Sequence, residues 1–449
     1  MKTIEIDFNK QGRAFGPSVF GVCKFPNLDH CEQILPKLRE SGAALLRVDL
    51  YPEQMIPLDK CPDLEAYKAN INDIQNTKNW NLNHLKPLRL AKSLGFEIML
   101  SMCYSPDWLN YNHSHKGIPM DFDIYESIIE KAFALVCEYV DYCEIINETV
   151  YFMGLDKSPY LNKYQAAADI YEHAAYAIKR IRPDMRIGGW AVEGPFVEEI
   201  EYFLSDKRFK MEKGLVDFVS WHVYSTEDCT QGIDDIRRTI VSCGYPEDFP
   251  VFIDEWNVTP EWESNEGKLY NYKSIPYVGK NLSYFMNHQA NACFFANYPR
   301  LYPSDGFHEL GECTTLATYV WDDEKHNGYL LPMMKAYRVA GVFLGLATGD
   351  FKVYQVQYSY GISAVTAAIN SQLEKVIYAV NERPIQVEVH MTIAGAKETT
   401  RMECTRVSMH PEINDCFEHD YEVSGQLLHV HLKLPPYSVI GIKLKEDQE

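Results

Sequence analysis

Two apolar runs in this chain of 449 residues end in carboxylates. Cys143-Glu144-Ile145-Ile146-Asn147-Glu148-Thr149 delivers an Asn-Glu pair, and Val251-Phe252-Ile253-Asp254-Glu255-Trp256-Asn257 delivers a second glutamate. A continuous hydrophobic run that stops at an acid reads as a strand buried on both faces whose end opens onto a polar cavity. Two carboxylates presented in this way, from opposite sides, can divide a reaction between them. One protonates a leaving oxygen, and the other meets an oxocarbenium-like carbon from the far face, which is the chemistry of glycosidic bond cleavage.

Other strand ends supply the groups such a pair needs. Arg47 and Asp49 close the run Leu45-Leu46-Arg47-Val48-Asp49-Leu50, and His222 and Tyr224 close Ser220-Trp221-His222-Val223-Tyr224. Arg47 and Tyr224 are expected to donate to Glu255, and a cation and a phenol at a carboxylate favour its charged form. This assigns Glu255 as nucleophile and Glu148 as acid/base, with long side chains reaching the separation of about 5 to 5.5 Å that retention requires. The Asn147 amide is placed to donate to a sugar 2-hydroxyl, while His222 binds sugar hydroxyls or holds Glu148. Trp108 and Trp321 offer flat faces on which a pyranose could stack. The plainer reading of a lone strand-end glutamate is a surface or salt-bridged carboxylate. The paired contexts on two strands argue against it.

Eight apolar strands are expected to position these side chains, at 19–24, 44–50, 96–102, 142–147, 186–190, 217–223, 250–254 and 292–297, each followed by a helical pattern. That alternation predicts an α/β fold, a (β/α)₈ TIM barrel, in which functional groups gather at the carboxyl ends of the strands. No G-x-G-x-x-G follows the first strand, so a doubly wound sheet is the weaker alternative. Beyond Gly349 short alternating strands replace the helical period, as in Lys375–Val380 and Leu427–Leu432. The expected organisation is a catalytic barrel over 14–348 and an accessory all-β sandwich built from 1–13 plus 349–449. The closing strand Ser438–Leu444 is expected to lie close to the N-terminal one.

Composition narrows the partners. The formal net charge is −20, from 43 Lys and Arg against 63 Asp and Glu, which repels phosphate backbones and anionic membranes. Neither nucleic acid nor membrane is an expected partner. The N-terminus alternates charge and hydrophobe from Thr3 and lacks a signal-peptide core. The twelve cysteines show no CxxC and no ligand spacing, so buried thiols in a reducing cytoplasm are expected rather than disulfides or metal. The acidic stretch Asp322-Asp323-Glu324 with His326 reads as a solvated turn. No cofactor motif is present, and a homo-oligomer is compatible with the sequence.

The strand-four Asn147-Glu148 and strand-seven Glu255 resemble the catalytic pair of glycoside hydrolase clan A. Within that clan the chain looks most like family 39, the β-xylosidase and α-L-iduronidase family, through LLRVDL at 45–50, SWHVYS at 220–225, FIDEWN at 252–257 and LPPYSVIGIKL at 434–444. Thr149 stands where Asn-Glu-Pro is common, and families 51 and 30 carry a similar sandwich. The resemblance implies a retaining, exo-acting β-xylosidase-like enzyme on a neutral oligosaccharide. An arabinosidase or another clan A glycosidase is the alternative, and a carbohydrate-binding pseudoenzyme is the rival from another class.

Overall fold

The structure is a computed structural model that describes residues 1–23, 31–52, 61–70, 85–102, 104–225, 227–258, 273–296, 300–302, 319–322, 327–330, 334–397, 399–408 and 419–446. Eight parallel strands close into a barrel. They are β1 (Gly21–Cys23), β2 (Leu45–Leu50), β3 (Glu97–Met102), β4 (Tyr142–Ile145), β5 (Arg186–Val192), β6 (Phe218–Tyr224), β7 (Val251–Asn257) and β8 (Ala292–Ala296). β8 pairs with both β7 and β1, so no edge is left open.

Strand parity decides what faces inward, because successive side chains point to opposite faces. On β2, Leu46, Val48 and Leu50 join the core shared with the helices, whereas Leu45 lies in a separate interior cluster with Met99, Phe218 and Phe252. The rings of Phe218 and Phe252 stack there with centroids 4.3 Å apart. This apolar layer floors the barrel. Two residues further along the same faces come Arg47, Ser101, Glu144, Ser220 and Asp254, and a polar layer therefore sits directly on the floor.

Helices Cys31–Glu40, Leu85–Ser93, Phe122–Val136, Lys163–Ile181, Val197–Ser205 and Thr230–Ser242 cover the outside. Helix Leu64–Ala69, which the sequence reading did not single out, has Asp63 as its N-cap, accepting from the Ala66 amide at 2.7 Å. No helix among the described residues is long and apolar enough to cross a membrane.

A five-stranded and a six-stranded sheet enclose the second core, built on Ile4, Ile6, Val389, Met391, Val430, Ile440 and Ile442 among others. The N-terminal strand Lys2–Asp7 does join this sandwich. However, it pairs with Val387–Ala394 and Val356–Tyr358 in the five-stranded sheet. The closing strand Ser438–Glu446 lies in the facing sheet, between Lys375–Asn381 and Thr400–Val407. The two therefore share a core rather than a sheet, since both present alternating apolar residues inward.

Helix Ser274–Asn287 docks barrel on sandwich. Twelve of its residues are buried, far more than one apolar stripe needs, because the six-stranded sheet covers the face that would otherwise meet water. Ser283 and Thr366 hydroxyls bond at 2.7 Å, Asn287 donates to the Val365 carbonyl at 2.8 Å, and Lys280 pairs with Glu382 at 2.6 Å. At Gly279 a Cβ would stand 2.6 Å from Val439, so only glycine lets the helix approach this closely.

Candidate active site

The site is assembled on the polar layer and centred on Arg47, a guanidinium buried completely inside the barrel. Its Nη1 donates to Glu255 Oε1 at 2.9 Å and stands 3.3 Å from Asp49. Nε and Nη2 donate to Glu144 Oε1 at 3.1 and 2.5 Å. Nη2 also donates to Asn147 Oδ1 at 2.7 Å and Ser101 Oγ at 3.2 Å, and it lies 3.3 Å from Asp254. Burial opposes the charge, but Glu144, Cys23, Asp254 and Asp49 outweigh it and hold the group firmly protonated. Five N–H donors in a rigid fork make arginine able to serve so many acceptors, which a lysine could not do.

Glu255 is 4 % exposed and bonded on both oxygens, to Arg47 and to the Tyr224 hydroxyl, which donates to Oε2. Two donors, one of them cationic, stabilise negative charge on it. A bulge places it. Trp221 pairs with Ile253 and His222 with Glu255, so Asp254 is an extra residue in β7. Without the bulge, Asp254 and Glu255 would point to opposite faces. With it, both reach Arg47.

Glu148 reaches the cavity differently from the expectation that strand four runs through Asn147. β4 ends at Ile145, and the chain turns through left-handed conformations at Ile146 (φ 72°) and Glu148 (φ 48°). Ile146 and Glu148 amides donate to the Met102 and Ala191 carbonyls at 3.2 and 3.0 Å, which ties the turn to both neighbouring strands. Such backbone costs of order 1 kcal/mol or more per residue and persists where its surroundings over-determine it. The Glu148 carboxylate accepts from His222 Nδ1 at 2.6 Å through Oε1.

His222 is fully buried, and its Nε2 lies 3.0 Å from Asp254 Oδ2. Both ring nitrogens therefore face carboxylate oxygens, which an imidazolium satisfies and a neutral ring does not. Burial disfavours that charge, yet Asp254 and Glu255 raise the ring well above the ordinary histidine value. Further along the same rim, Glu193 follows β5, where burial and then Glu148 push its carboxyl up.

Of the residues singled out from sequence, Arg47, Asp49, Asn147, Glu148, His222, Tyr224 and Glu255 come together here. Trp108 does not. It is 8 % exposed and lies in the core beside Tyr67, with ring centroids 5.3 Å apart. Trp321 lies on Tyr319–Asp322, a strand paired with Arg300–Tyr302 and Asn327–Leu330 outside the barrel. Its side chain lies outside the described residues, as do Asp323, Glu324 and His326. Glu144 and Asp254, which lie beneath the site against Arg47 and His222, were not singled out from sequence. The available signal was an acid within an otherwise apolar, doubly buried strand, where a charge needs a partner.

The fold is shared by solved glycoside hydrolases. The whole chain superimposes on a monomeric β-xylosidase from Caulobacter crescentus CB15 with a TM-score of 0.67 and 15% identity, covering 100% of both chains. An enzyme of glycoside hydrolase family 39 from Xanthomonas axonopodis pv. citri matches with a TM-score of 0.65 and 13% identity, covering 99% of this chain and 97% of that one. A family 30 subfamily 8 xylanase from Clostridium acetobutylicum matches at 0.64 and 10%, covering 99% of each. No protein-family profile matches the sequence. No curated protein matches it either.

Proposed function

We propose that this protein is a retaining glycosidase that cleaves a neutral glycan by double displacement, with Glu255 as nucleophile and Glu148 as acid/base. The observation that carries the reading is the unequal support of two glutamates at one cavity. Glu255 is gripped by Arg47 and Tyr224, as an ionised nucleophile needs. Glu148 has one oxygen held by His222, leaving the other to face a leaving group.

In the first step Glu255 attacks the anomeric carbon as the glycosidic C–O bond breaks, and the Glu148 proton passes to the departing oxygen. In the second step Glu148 takes a proton from water, whose oxygen attacks the same carbon and releases Glu255. Asn147, anchored through Oδ1 on Arg47, keeps its amide N–H₂ for a sugar hydroxyl. The whole-chain likeness to a β-xylosidase favours an exo-acting, β-xylosidase-like specificity, with an arabinosidase as the second choice. The cysteines among the described residues carry free thiols, which fits a cytoplasmic setting, where short oligosaccharides are the available substrates.

The test is hydrolysis of a panel of aryl glycosides. Glu255→Ala should lose kcat by about 10⁴-fold or more; equal rates in the parent and this variant would remove the nucleophile assignment. Glu148→Ala should fail on poor leaving groups by about 10² to 10⁴-fold and recover with added azide. Sugar binding without product across the whole panel would favour the carbohydrate-binding pseudoenzyme instead.

A further inference from the structure

We infer that Glu144 and Asp254 share one proton deep in the barrel, and that this proton holds the acid/base in place through His222. The inference deepens the glycosidase reading and rests on it for its functional part. The two carboxyls take no part in the hydrolytic steps, and both are fully buried. Glu144 Oε1 receives both Arg47 donors, and Asp254 Oδ2 receives His222 Nε2. The remaining oxygens, Glu144 Oε2 and Asp254 Oδ1, meet no donor among the described residues.

The two carboxyls nevertheless meet on one guanidinium nitrogen, Arg47 Nη2, which lies 2.5 Å from Glu144 Oε1 and 3.3 Å from Asp254 Oδ2. If both were ionised, two like charges would crowd one cation in a dry interior, each with an unsatisfied oxygen. A single proton held between the two carboxyls relieves that repulsion as an O–H···O⁻ bond and gives the pair the donor it lacks.

The surrounding charges point the same way. Arg47 and Asp49 face the pair from β2, Cys23 from β1, Ser101 from β3, His222 from β6 and Glu255 from β7, with Cys143 beside Glu144 on β4. Arg47 and the His222 imidazolium are the cations among them, against Glu144, Asp254, Glu255, Glu148 and Asp49. Glu144 is where the proton resides. Burial first, and then the charge of Asp254, push its carboxyl up to about 8 despite Arg47.

The consequence runs along a chain of four groups, Glu144, Asp254, His222 and Glu148. Protonated Glu144 fixes Asp254 as an acceptor, Asp254 fixes the His222 ring, and the ring fixes Glu148. Loss of the proton sets Glu144 and Asp254 against each other and frees the ring. Glu144 is thus a positioning residue, acting through its neighbours.

Glu144→Gln tests this, because an amide keeps an acceptor for Arg47 and a permanent donor for Asp254. The parent should lose kcat/KM as pH rises through about 8. The variant should stay within about fivefold of the parent at pH 6, and its alkaline fall should move up by a unit or more; an unchanged alkaline limb overturns the proposal. Infrared difference spectra read the proton without activity. Glu148 in its acid form gives a band of its own, so the spectra are taken in a Glu148→Gln background, which should show the carbonyl stretch of a protonated carboxyl at pH 6 that fades by pH 9. The band should be absent when Glu144→Gln is added, and also when Asp254→Asn is added, whose amide donates to an ionised Glu144. No band in the Glu148→Gln background, or a band surviving both additions, overturns the shared proton. A band with no hydrolysis of any glycoside by the parent upholds the proton and removes the glycosidase reading alone.

Discussion

Arg47 carries more of the site than Glu148 or Glu255 does, since Glu144, Asp254, Glu255, Asp49 and Asn147 all converge on its guanidinium. Removing it leaves several buried carboxylates unneutralised, so Arg47→Met should destabilise the fold by about 3–5 kcal/mol, read as a lowered urea midpoint. Arg47→Lys should fall nearer to Met than to the parent, because one ammonium cannot span the fork; parental stability in the lysine variant would refute the convergent role. Tyr224→Phe removes the phenol's bond to Glu255 and should lower kcat by about 10- to 100-fold with unchanged melting, in line with about 1.5–3 kcal/mol for a hydrogen bond to a charge. Arg47, His222, Tyr224 and the two glutamates were legible as polar residues ending apolar runs. Trp108 suits a sugar platform by type, whereas the structure places it in the core beside Tyr67, which is distant in sequence.

At the scale of elements, three local departures from regular strands aim the chemistry. The bulge at Asp254 turns two consecutive acids inward, and the left-handed turn after β4 swings Glu148 over His222. The third is in β5, where register shifts between Gly189 and Val192. Just before it, a Cβ on Gly188 would stand 2.3 Å from the Phe218 carbonyl and 2.5 Å from its ring. Neither neighbour can move cheaply, since that ring stacks on Phe252 in the barrel floor. Gly188→Ala should therefore cost about 2–3 kcal/mol by overpacking, measured by equilibrium unfolding, and a change under about 0.5 kcal/mol would show that β5 yields. Strand positions followed from runs of apolar residues. The bulge and the turn did not, because both arise from pairing with neighbouring strands and leave no local composition signal.

For the whole molecule, the buried titrating groups make a prediction about pH. His222 and Glu144 are both raised in the folded state, the former well above its usual value and the latter to about 8. A raised group binds its proton more tightly when folded, so its contribution is complete below the unfolded value and is lost as pH rises through the folded one. Tm should accordingly fall from about pH 5 to about 8, with His222 adding to the loss above about pH 6.5, and Glu144→Gln should flatten the fall below about pH 8; a parental Tm rising across this window would contradict the assignment. The docking helix adds rigidity to the frame, being sealed between barrel and sandwich by Ser283, Asn287 and Lys280. By itself the sequence determined the barrel, the sandwich and the two strands that lead to Glu148 and Glu255, because hydrophobic period and strand-end polarity are local properties of the chain. Only the tertiary structure decided that Asp254 turns inward beside Glu255, that Glu144 faces it, and that Arg47 and His222 lie among these acids. Those relations depend on register between strands far apart in sequence, and on charges that become consequential only once the barrel has excluded water from them.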